Sequence, residues 1–167
     1  MVTTTADNGP GSLRDAIAIA ITANGDDTII FDNALSGNII ALSSALTIND
    51  PSGNLTITGL GKSNLTISGN DNSGIFVINT LAMISDLTLS NGTGAYGTSP
   101  TFYGGAIYSN NSLTLTNVSI NSSSANFGSA IYQNGGSLQL ISSNVANSVT
   151  VAGSGNLFIE SLSLIHI

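Results

Sequence analysis

The chain has 167 residues, of which 41% are hydrophobic and only 7% are charged, against roughly 25% charged residues in an average globular protein. Its net charge is −7, from two Lys or Arg residues and nine Asp or Glu residues. With so few cations it cannot neutralise phosphates, so nucleic acids and anionic membrane surfaces are excluded as expected partners. The absence of cysteine excludes disulfides, a thiolate nucleophile and cysteine-based metal sites.

The first residues carry no targeting signal. Residues 1–5 lack the basic start and the apolar centre of a signal peptide. No stretch approaches the roughly 18 apolar residues that a membrane helix needs, so membrane insertion of this segment is not expected. Two interpretations of the compartment stay open: the protein is cytoplasmic, or its natural beginning is missing.

The first predicted elements are a short strand and a helix. Residues 2–6 are predicted to form the strand, which ends in the turn residues of DNGPG at 7–11. Residues 12–23 have a helical period and an apolar face formed by Leu13, Ile17 and Ile21. We expect this helix to cover the first coil of the fold, because the core and the strand edges at the end of a stack are otherwise exposed. Packing on a flank is the alternative.

The predicted helix contains recognisable capping residues. Ser12 is the expected N-cap, and Asp15 is placed to complete a capping box. Asn24 and Gly25 are expected to stop the helix. A structural role is favoured over a catalytic one for Arg14, because a guanidinium group binds several carbonyls or a carboxylate at once and can tie the helix to the first coil.

From residue 26 onward the hydrophobic period changes to two, which is typical of strands. Strands are predicted at 28–31, 38–42 and 45–48, with turn residues between them. Two further strands are predicted at 55–57 and 65–67, on either side of the turn sequence GLGKS.

The segment from residue 104 to residue 124 is repeated imperfectly on both sides. Leu140 corresponds to Leu115 in the copy that follows, and Leu89 corresponds to Ile120 in the copy that precedes. One copy further back, Ile67 corresponds to Leu89. Repeats of roughly 20–30 residues that alternate apolar residues with Ser, Thr and Asn indicate short strands stacked as a solenoid. We therefore expect Leu89 to touch Ile120, and Leu115 to touch Leu140.

The repeats predict columns of equivalent residues. The inward apolar columns are Leu65, Leu87 and Val118, then Ile67, Leu89, Ile120 and Val145. Ser143 interrupts the first of them. A turn column with αL-like geometry is predicted at Gly69, Asn91, Ser122 and Asn147. Residues 92–100 lengthen one repeat, so they are expected to protrude as a loop and to be a place for a specific contact.

Several segments together resemble a known family: GPGSLRDAIAIA (9–20), DDTIIFD (26–32), LSGNIIAL (35–42), LTITGLGKSNLTISGN (55–70), ISDLTLSNG (84–92) and GGAIY (104–108). They are similar to bacterial proteins with the CSLREA domain, whose right-handed parallel β-helix repeats also occur in polymorphic outer-membrane proteins. Gly11 and Asp15 stand where the domain has its cysteine and glutamate. The resemblance covers most of residues 2–149 and implies a large secreted or surface-attached protein with an elongated stalk or passenger.

The expected fold is all-β: a right-handed parallel β-helix, or pectin-lyase-like solenoid, with a short N-terminal capping helix. Residues 1–50 are expected to form the cap and the first coil, and residues 51–161 the other coils. Residues 162–167 are interpreted as a non-native tail, because LSLIHI resembles a translated sequencing adaptor; a native last strand at 157–167 is the alternative. No second helical period follows, so self-association through an open C-terminal coil is expected.

No catalytic, cofactor-binding or metal-binding residue is predicted. A polysaccharide lyase or hydrolase needs clustered carboxylates, and the repeat columns supply no such pair. Asp71 is interpreted as a turn residue in preference to a calcium ligand, and Asp86 as a residue at the start of a strand. Grouping of Asp71, Asp86 and Lys62 in one cleft would contradict this interpretation. Solvated turn positions are expected for Asp26, Asp27 and Asp32.

Aromatic residues also recur at the repeat spacing: Tyr103, Tyr108, Phe127 and Tyr132. A buried or edge ladder is favoured over an exposed strip on which sugars stack. The expected function is a non-enzymatic, extracellular or cell-surface module with an adhesin-like or stalk role and no cofactor. Its expected partners are extracellular or cell-surface carbohydrate or protein. A fragment of a carbohydrate-active β-helix enzyme is the alternative.

Overall fold

A computed structural model describes residues 1–99, 101–150, 157–159 and 165–166. These residues include helix α1 (Leu13–Ala20) and a 3-10 turn (Asn33–Leu35). The strands, in chain order, are β1 (Asp27–Ile30), β2 (Asn38–Ala41), β3 (Leu46–Ile48), β4 (Leu55–Thr58), β5 (Leu65–Ser68), β6 (Phe76–Ile78), β7 (Ala82–Ser90), β8 (Tyr96–Thr98), β9 (Thr101–Tyr103), β10 (Ile107–Ser109), β11 (Leu113–Asn121), β12 (Ser124–Ala125), β13 (Ile131–Gln133), β14 (Leu138–Ile141), β15 (Asn144–Ala146), β16 (Val149–Thr150), β17 (Leu157–Ile159) and β18 (Ile165–His166).

These strands wind into a parallel β-solenoid of about four turns with three faces. The first face contains β1, β4, the first half of β7, the first half of β11, β14 and β18. The second face contains β2, β5, the second halves of β7 and β11, and β15. The third face contains β3, β6, β10, β13 and β17. A parallel β-helix with a short N-terminal helix, as the sequence predicted, is therefore confirmed.

Successive coils pair in the register that the repeats predicted. Ile120 pairs with Leu89, and Leu115 pairs with Leu140. Leu89 pairs on its other side with Ile67. The apolar side chains of both predicted columns are buried, apart from the half-buried Val145 in the last coil of its column. The alternation of apolar and polar residues thus fixes which side of each strand faces the core.

Helix α1 covers the core at the first coil, as predicted. Leu13, Ile17 and Ala20 are buried in one hydrophobic cluster with the strands, and the helix contacts β1 and β3. The predicted end at residue 23 was wrong, because the helix ends at Ala20 and Ile21 is its C-cap and only partly buried. The N–H and the hydroxyl of Thr22 both donate to the carbonyl of Ile19, a group that a longer helix would bond to an N–H one turn further on.

The start of the helix is capped much as predicted. The Ser12 hydroxyl accepts the N–H of Asp15 over 3.1 Å. The carboxylate of Asp15 accepts the N–H of Gly11 over 3.0 Å, one residue earlier than in the predicted capping box. The strand predicted at residues 2–6 was wrong, since its β-pairing is a single parallel bridge from Val2 to Phe31.

Polar residues with positive φ form the corners of the coils. Asp86, Asn117 and Ser142 turn the chain from the first face to the second with φ of 57°, 53° and 50°. Asp86 therefore lies inside β7 at a bend, which corrects its predicted position at a strand start. The next corner, after the second face, has positive φ at Asn91, Ser122 and Asn147, as predicted.

Gly69 shares the register of that second corner but not its conformation. Positive φ in this coil belongs to Asn70 and Asp71, with φ of 56° and 53°. A Cβ atom on Gly69 would overlap the carbonyl oxygen of Ser73 and lie 2.6 Å from that of Asn91. Glycine is needed here because two backbone segments approach it closely, so the predicted αL geometry was wrong at this position.

A short antiparallel hairpin of β8 and β9 occupies much of the segment that the sequence predicted as a protruding loop at 92–100. Tyr96 pairs with Tyr103 across it. Side chains at paired positions project from the same face of a hairpin. Tyr96 and Tyr103 therefore project from the same face of the hairpin.

The backbone of β18 pairs with Gln139 and Leu140 of β14. The remaining residues of the predicted tail at 162–167 lie outside the described residues, so its non-native origin stays a prediction. The same holds for the predicted domain boundaries and for self-association. In the part of the chain that the structure describes, no helix has the length and apolar character needed to cross a bilayer.

Candidate functional site

Arg14 is a structural residue that ties the helix to the first coil. Its guanidinium donates to the carbonyl oxygens of Ser44 over 2.7 Å and Ala45 over 3.3 Å. It also donates to the backbone carbonyl and the carboxylate of Asp7, the latter at 2.7 Å. This set of acceptors matches the role that the sequence predicted for Arg14, since one planar cation joins three backbone carbonyls and a carboxylate.

The carboxylate of Asp7 completes this junction. It accepts hydrogen bonds from the hydroxyl and the N–H of Ser43 as well as from Arg14. Partial burial raises the pKa of Asp7, but the hydrogen bonds from Ser43 and Arg14 and the charge of Arg14 lower it more. The net result is a pKa below the usual value, so Asp7 stays ionised and holds the turn against the first coil.

Two of the three residues whose grouping would have indicated an enzyme, Asp86 and Asp71, lie at different corners of the coils. Asp86 lies at the corner between the first and second faces and accepts the side-chain amide of Asn117 over 2.6 Å. Asp71 lies at the next corner, where its N–H donates to the carbonyl of Asn91. Lys62 follows Gly61, whose N–H donates to the carbonyl of Asp86, yet no ion pair of Lys62 occurs among the described residues.

The acidic residues around β1 have three different environments. Asp26 accepts the N–H and the side-chain amide of Asn54 in the next coil, over 2.9 and 3.0 Å. Asp32 caps the 3-10 turn by accepting an N–H over 2.8 Å. Asp27 is the first residue of β1 and has one carboxylate oxygen buried without a hydrogen-bond partner. The expected solvated turn position is therefore found for Asp26, which is exposed, whereas it was wrong for Asp27.

Asp50 is a buried carboxylate that the sequence did not single out. The N–H and hydroxyl of Ser52 donate to one of its oxygens, each over 2.8 Å, and the N–H of Gly53 donates to the same oxygen. These bonds from Ser52 lower the pKa of Asp50, outweighing the opposite effect of burial. Among the described residues, no three His, Cys, Asp or Glu side chains are grouped so that they could hold a metal ion.

The aromatic side chains instead form one cluster on the outside of the third face. Tyr108 pairs with Tyr132 in the next coil, and the two rings stack with centroids 5.5 Å apart and planes 7° apart. Both are nearly buried, at 7% and 6% exposed. The ladder that the sequence favoured is thus confirmed for these two residues, and Phe158 takes the next register position along the strand ladder.

The hairpin covers this ladder from outside. Tyr96 stacks on Tyr108 with ring centroids 4.4 Å apart. Tyr103 meets Tyr132 edge-on at 4.9 Å and stacks on Phe127 at 5.2 Å. Tyr96 remains 52% exposed. The hairpin thus brings two tyrosines onto the two that belong to the coils.

A cleft of about 370 Å³ opens between the hairpin and the ladder, lined by Tyr96, Tyr103, Tyr108, Tyr132 and Asn134. These are all four tyrosines of the chain. An adjoining cleft of about 610 Å³ shares Tyr96 and Tyr103 and is otherwise lined by Ala95, Gly97, Thr98, Ser99 and Thr101. None of the described side chains that line either cleft carries a charge. This aromatic cleft is the candidate functional site.

Two components of the cleft were missed in the sequence. Tyr96 lies in the insert that breaks the repeat, so no periodic signal marks it. Asn134 ends a ladder in which Asn134 donates to Asn110 over 2.9 Å and Asn110 to Asn79 over 2.7 Å. These asparagines follow one another at the same spacing as the coils, and that recurrence could have revealed the ladder.

Comparison of the chain with protein-family models, with curated proteins and with solved structures gives no match in any of the three. The resemblance to CSLREA-domain and polymorphic outer-membrane proteins therefore stays a prediction.

Proposed function

We propose that this chain is a non-enzymatic module of a secreted or cell-surface protein, in which the solenoid acts as a stalk or adhesin-like passenger. The observation that carries the proposal is that most of the described acidic side chains form hydrogen bonds that hold the fold together. Asp7, Asp26 and Asp86 each bind groups of the neighbouring backbone or the next coil. Asp15 and Asp32 cap helical turns. Acids engaged in this way support the fold and are not gathered around a substrate.

The architecture supports the same proposal. A parallel solenoid lengthens by one strand spacing, about 4.8 Å, for each coil added. The ladders of asparagine and of tyrosine run along that axis. A rod of this kind can hold a binding surface away from the place where it is anchored. The family resemblance implies the same stalk or passenger role.

The neutral character of the aromatic cleft favours binding over cleavage. Most glycosidases hydrolyse the glycosidic bond with two carboxyl groups that flank it, and no carboxyl lines the cleft in the part of the chain that the structure describes. Pockets of about 300–1,000 Å³ with aromatic walls and a few polar groups are typical of ligand sites. Carbohydrate or protein at a cell surface is the partner class that we propose.

The test compares binding with cleavage on the purified chain. Polygalacturonate, xylan, cellulose and starch are incubated with the protein, with and without calcium, and new reducing ends and unsaturated products are measured. The proposal expects no product above a protein-free control, and retention of the protein on at least one polysaccharide or on whole bacterial cells. Release of product that disappears on Asp86→Ala or Asp71→Ala substitution would show an enzyme instead.

A further inference from the structure

We infer that the aromatic cleft binds an uncharged saccharide, with a sugar ring against Tyr96 and its hydroxyls on Asn134 and on the hydroxyls of the two hairpin tyrosines. This inference names the ligand class of the proposed surface module and rests on that proposed function. It is argued from the convergence of side chains, from their lack of charge and from the shape of the cleft.

The first argument is convergence. The chain has four tyrosines, and all of them line this one cleft. Tyr108 and Tyr132 come from successive coils, whereas Tyr96 and Tyr103 come from the inserted hairpin. Packing in the ladder accounts for Tyr103, which stacks on Phe127 at the equivalent position of the next coil. It does not account for Tyr96, which is 52% exposed. Ligand pockets are lined mainly by apolar and aromatic side chains with a few polar groups.

The second argument is the charge of the site. The chain has a net charge of −7, yet the described residues that line the cleft include no charged side chain. Anionic ligands are repelled by the protein as a whole, and cationic ligands find no carboxylate among these lining residues. An uncharged ligand is therefore favoured.

The third argument is that the cleft can both stack against a sugar ring and form hydrogen bonds with its hydroxyls. A tyrosine ring presents an electron-rich face and a polar hydroxyl, which match the C–H bonds on one side of a pyranose and the hydroxyls at its edge. The side-chain amide of Asn134 donates to Asn110 and so is held in place by the asparagine ladder. Its carbonyl oxygen accepts no hydrogen bond from the described residues, so it is free to accept a sugar hydroxyl.

The dimensions of the cleft favour a short oligosaccharide over a protein partner. The cleft of about 370 Å³ adjoins one of about 610 Å³ across Tyr96 and Tyr103. A ligand longer than one ring can therefore continue past the hairpin, where Thr98, Ser99 and Thr101 supply hydroxyls. Stable protein interfaces bury at least about 1,000 Å² in total, whereas a short saccharide needs only the surface that these two clefts offer.

Intrinsic fluorescence provides a direct readout, because the chain has no tryptophan and its tyrosines all line the cleft. The folded chain is titrated with uncharged tetrasaccharides of β-glucose, α-glucose and xylose, and with tetragalacturonate as an anionic comparator. We expect at least one uncharged tetrasaccharide to change the fluorescence saturably and to receive saturation transfer by NMR from aromatic protein protons. The anionic comparator should bind at least about tenfold more weakly.

Variants locate the site. Tyr96→Ala removes the exposed ring and should weaken binding about tenfold or more, while Tyr96→Phe keeps the ring and should weaken it less. Met83→Ala is the matched control, because Met83 is an exposed apolar residue on the first face, away from the cleft. Thermal unfolding of each variant checks that the solenoid is intact, and Tyr96→Phe serves as the test if Tyr96→Ala does not fold.

Three outcomes overturn the inference: no uncharged saccharide binds, binding is unchanged in Tyr96→Ala, or a proline-rich peptide binds the cleft in place of saccharides. These outcomes are distinct from failure of the proposed function. A chain that cleaves a polysaccharide is an enzyme even when Tyr96→Ala abolishes binding, and a chain that binds cells without using the cleft remains a surface module.

Discussion

Asn79, Asn110 and Asn134 show how single side chains hold successive coils together. Asn110 and Asn134 each donate from the side-chain amide to the side-chain oxygen of the asparagine in the coil before. Such a ladder satisfies polar groups at a turn that apolar side chains cannot satisfy. Asp86 and Asn117 form a similar pair at another corner, where both residues also adopt the positive φ that the bend requires.

Asp7 gives the clearest prediction for a single residue. Its pKa is lowered in the folded protein, so its contribution to stability is complete above its unfolded-state pKa of about 3.9 and is lost as the pH falls through the lower folded-state value. Asp7→Asn should therefore lower the free energy of unfolding by about 1 kcal/mol at neutral pH. Urea unfolding from pH 7 down to about pH 2 should show this difference from wild type unchanged above about pH 4 and shrinking below it.

Asp71→Asn is the control for that measurement, because Asp71 is exposed and its described hydrogen bond is made by its backbone. Exposed substitutions of this kind usually change stability by less than about 0.5 kcal/mol. A difference between Asp7→Asn and wild type that does not change with pH would show that the charge of Asp7 is not the cause.

At the scale of elements, helix α1 covers the hydrophobic core at the first coil, where no preceding coil does so. Its Leu13 and Ile17 are buried against the first coil, while Ile19 on its other side is 63% exposed. The helix is short, with eight residues, and helices of this length are not stable alone. Its stability therefore comes from the apolar face that it shares with the solenoid.

Ile17→Ser should lower the free energy of unfolding by about 2–5 kcal/mol, because it removes a buried side chain and places a hydroxyl in the core. Ile19→Ser, in the same helix with the same change in helix propensity, should cost about 0.5 kcal/mol or less. Equilibrium urea unfolding of both variants measures the difference. Equal losses would mean that the helix does not act as a cap.

The hairpin of β8 and β9, unlike helix α1, lies outside the hydrophobic core of the solenoid. Its strand β8 belongs to no repeat, whereas β9 ends at Tyr103, which pairs with Phe127 in the next coil. The hairpin contributes a face of aromatic and polar side chains to the outside of the solenoid. Insertions at the turns of a solenoid leave the stacked coils unchanged, because each coil contacts only its neighbours. A specific site can therefore be added to the solenoid without disturbing its core.

At the scale of the molecule, the repeats predicted the fold because one pattern specifies both strand and register. Alternation identified the inward side of Leu89 and Ile120, and the match between successive copies identified the two as partners. The repeat could not predict what lies outside it. Tyr96 has no equivalent in another coil, and the approach of backbone to Gly69 depends on the positions of Ser73 and Asn91 in three dimensions.

The helix shows a further limit of sequence patterns. Ile21 extended the apolar period of Leu13 and Ile17, yet the chain leaves the helix after Ala20. Burial of Ile21 at the edge of the core is compatible with either conformation, so the hydrophobic pattern alone could not place the end. The aromatic ladder was predicted, whereas the cleft over it was not, since the cleft needs both the repeat and the insert.

Across the whole stack, a core substitution should destabilise its own coil and the neighbouring coils more than distant ones. Leu89 lies in the middle of its column, between Ile67 and Ile120, whereas Val145 in the last coil of that column is only half-buried. Leu89→Ala should cost about 2–5 kcal/mol, and Val145→Ala less. In a solenoid, stability is nearly a sum of coils and of interfaces between neighbours.

Hydrogen exchange measured by mass spectrometry tests that nearest-neighbour behaviour. In Leu89→Ala, amides of β5, β7 and β11 should exchange faster by a larger factor than those of β1 and β2, since the lost contacts lie at the interfaces on both sides of the coil that contains β7. Val145→Ala should affect β14 and β15 most and leave β4 and β5 nearly unchanged. If each variant instead accelerates all of these strands by one common factor, the solenoid unfolds as a single cooperative unit and coupling between coils extends well beyond nearest neighbours.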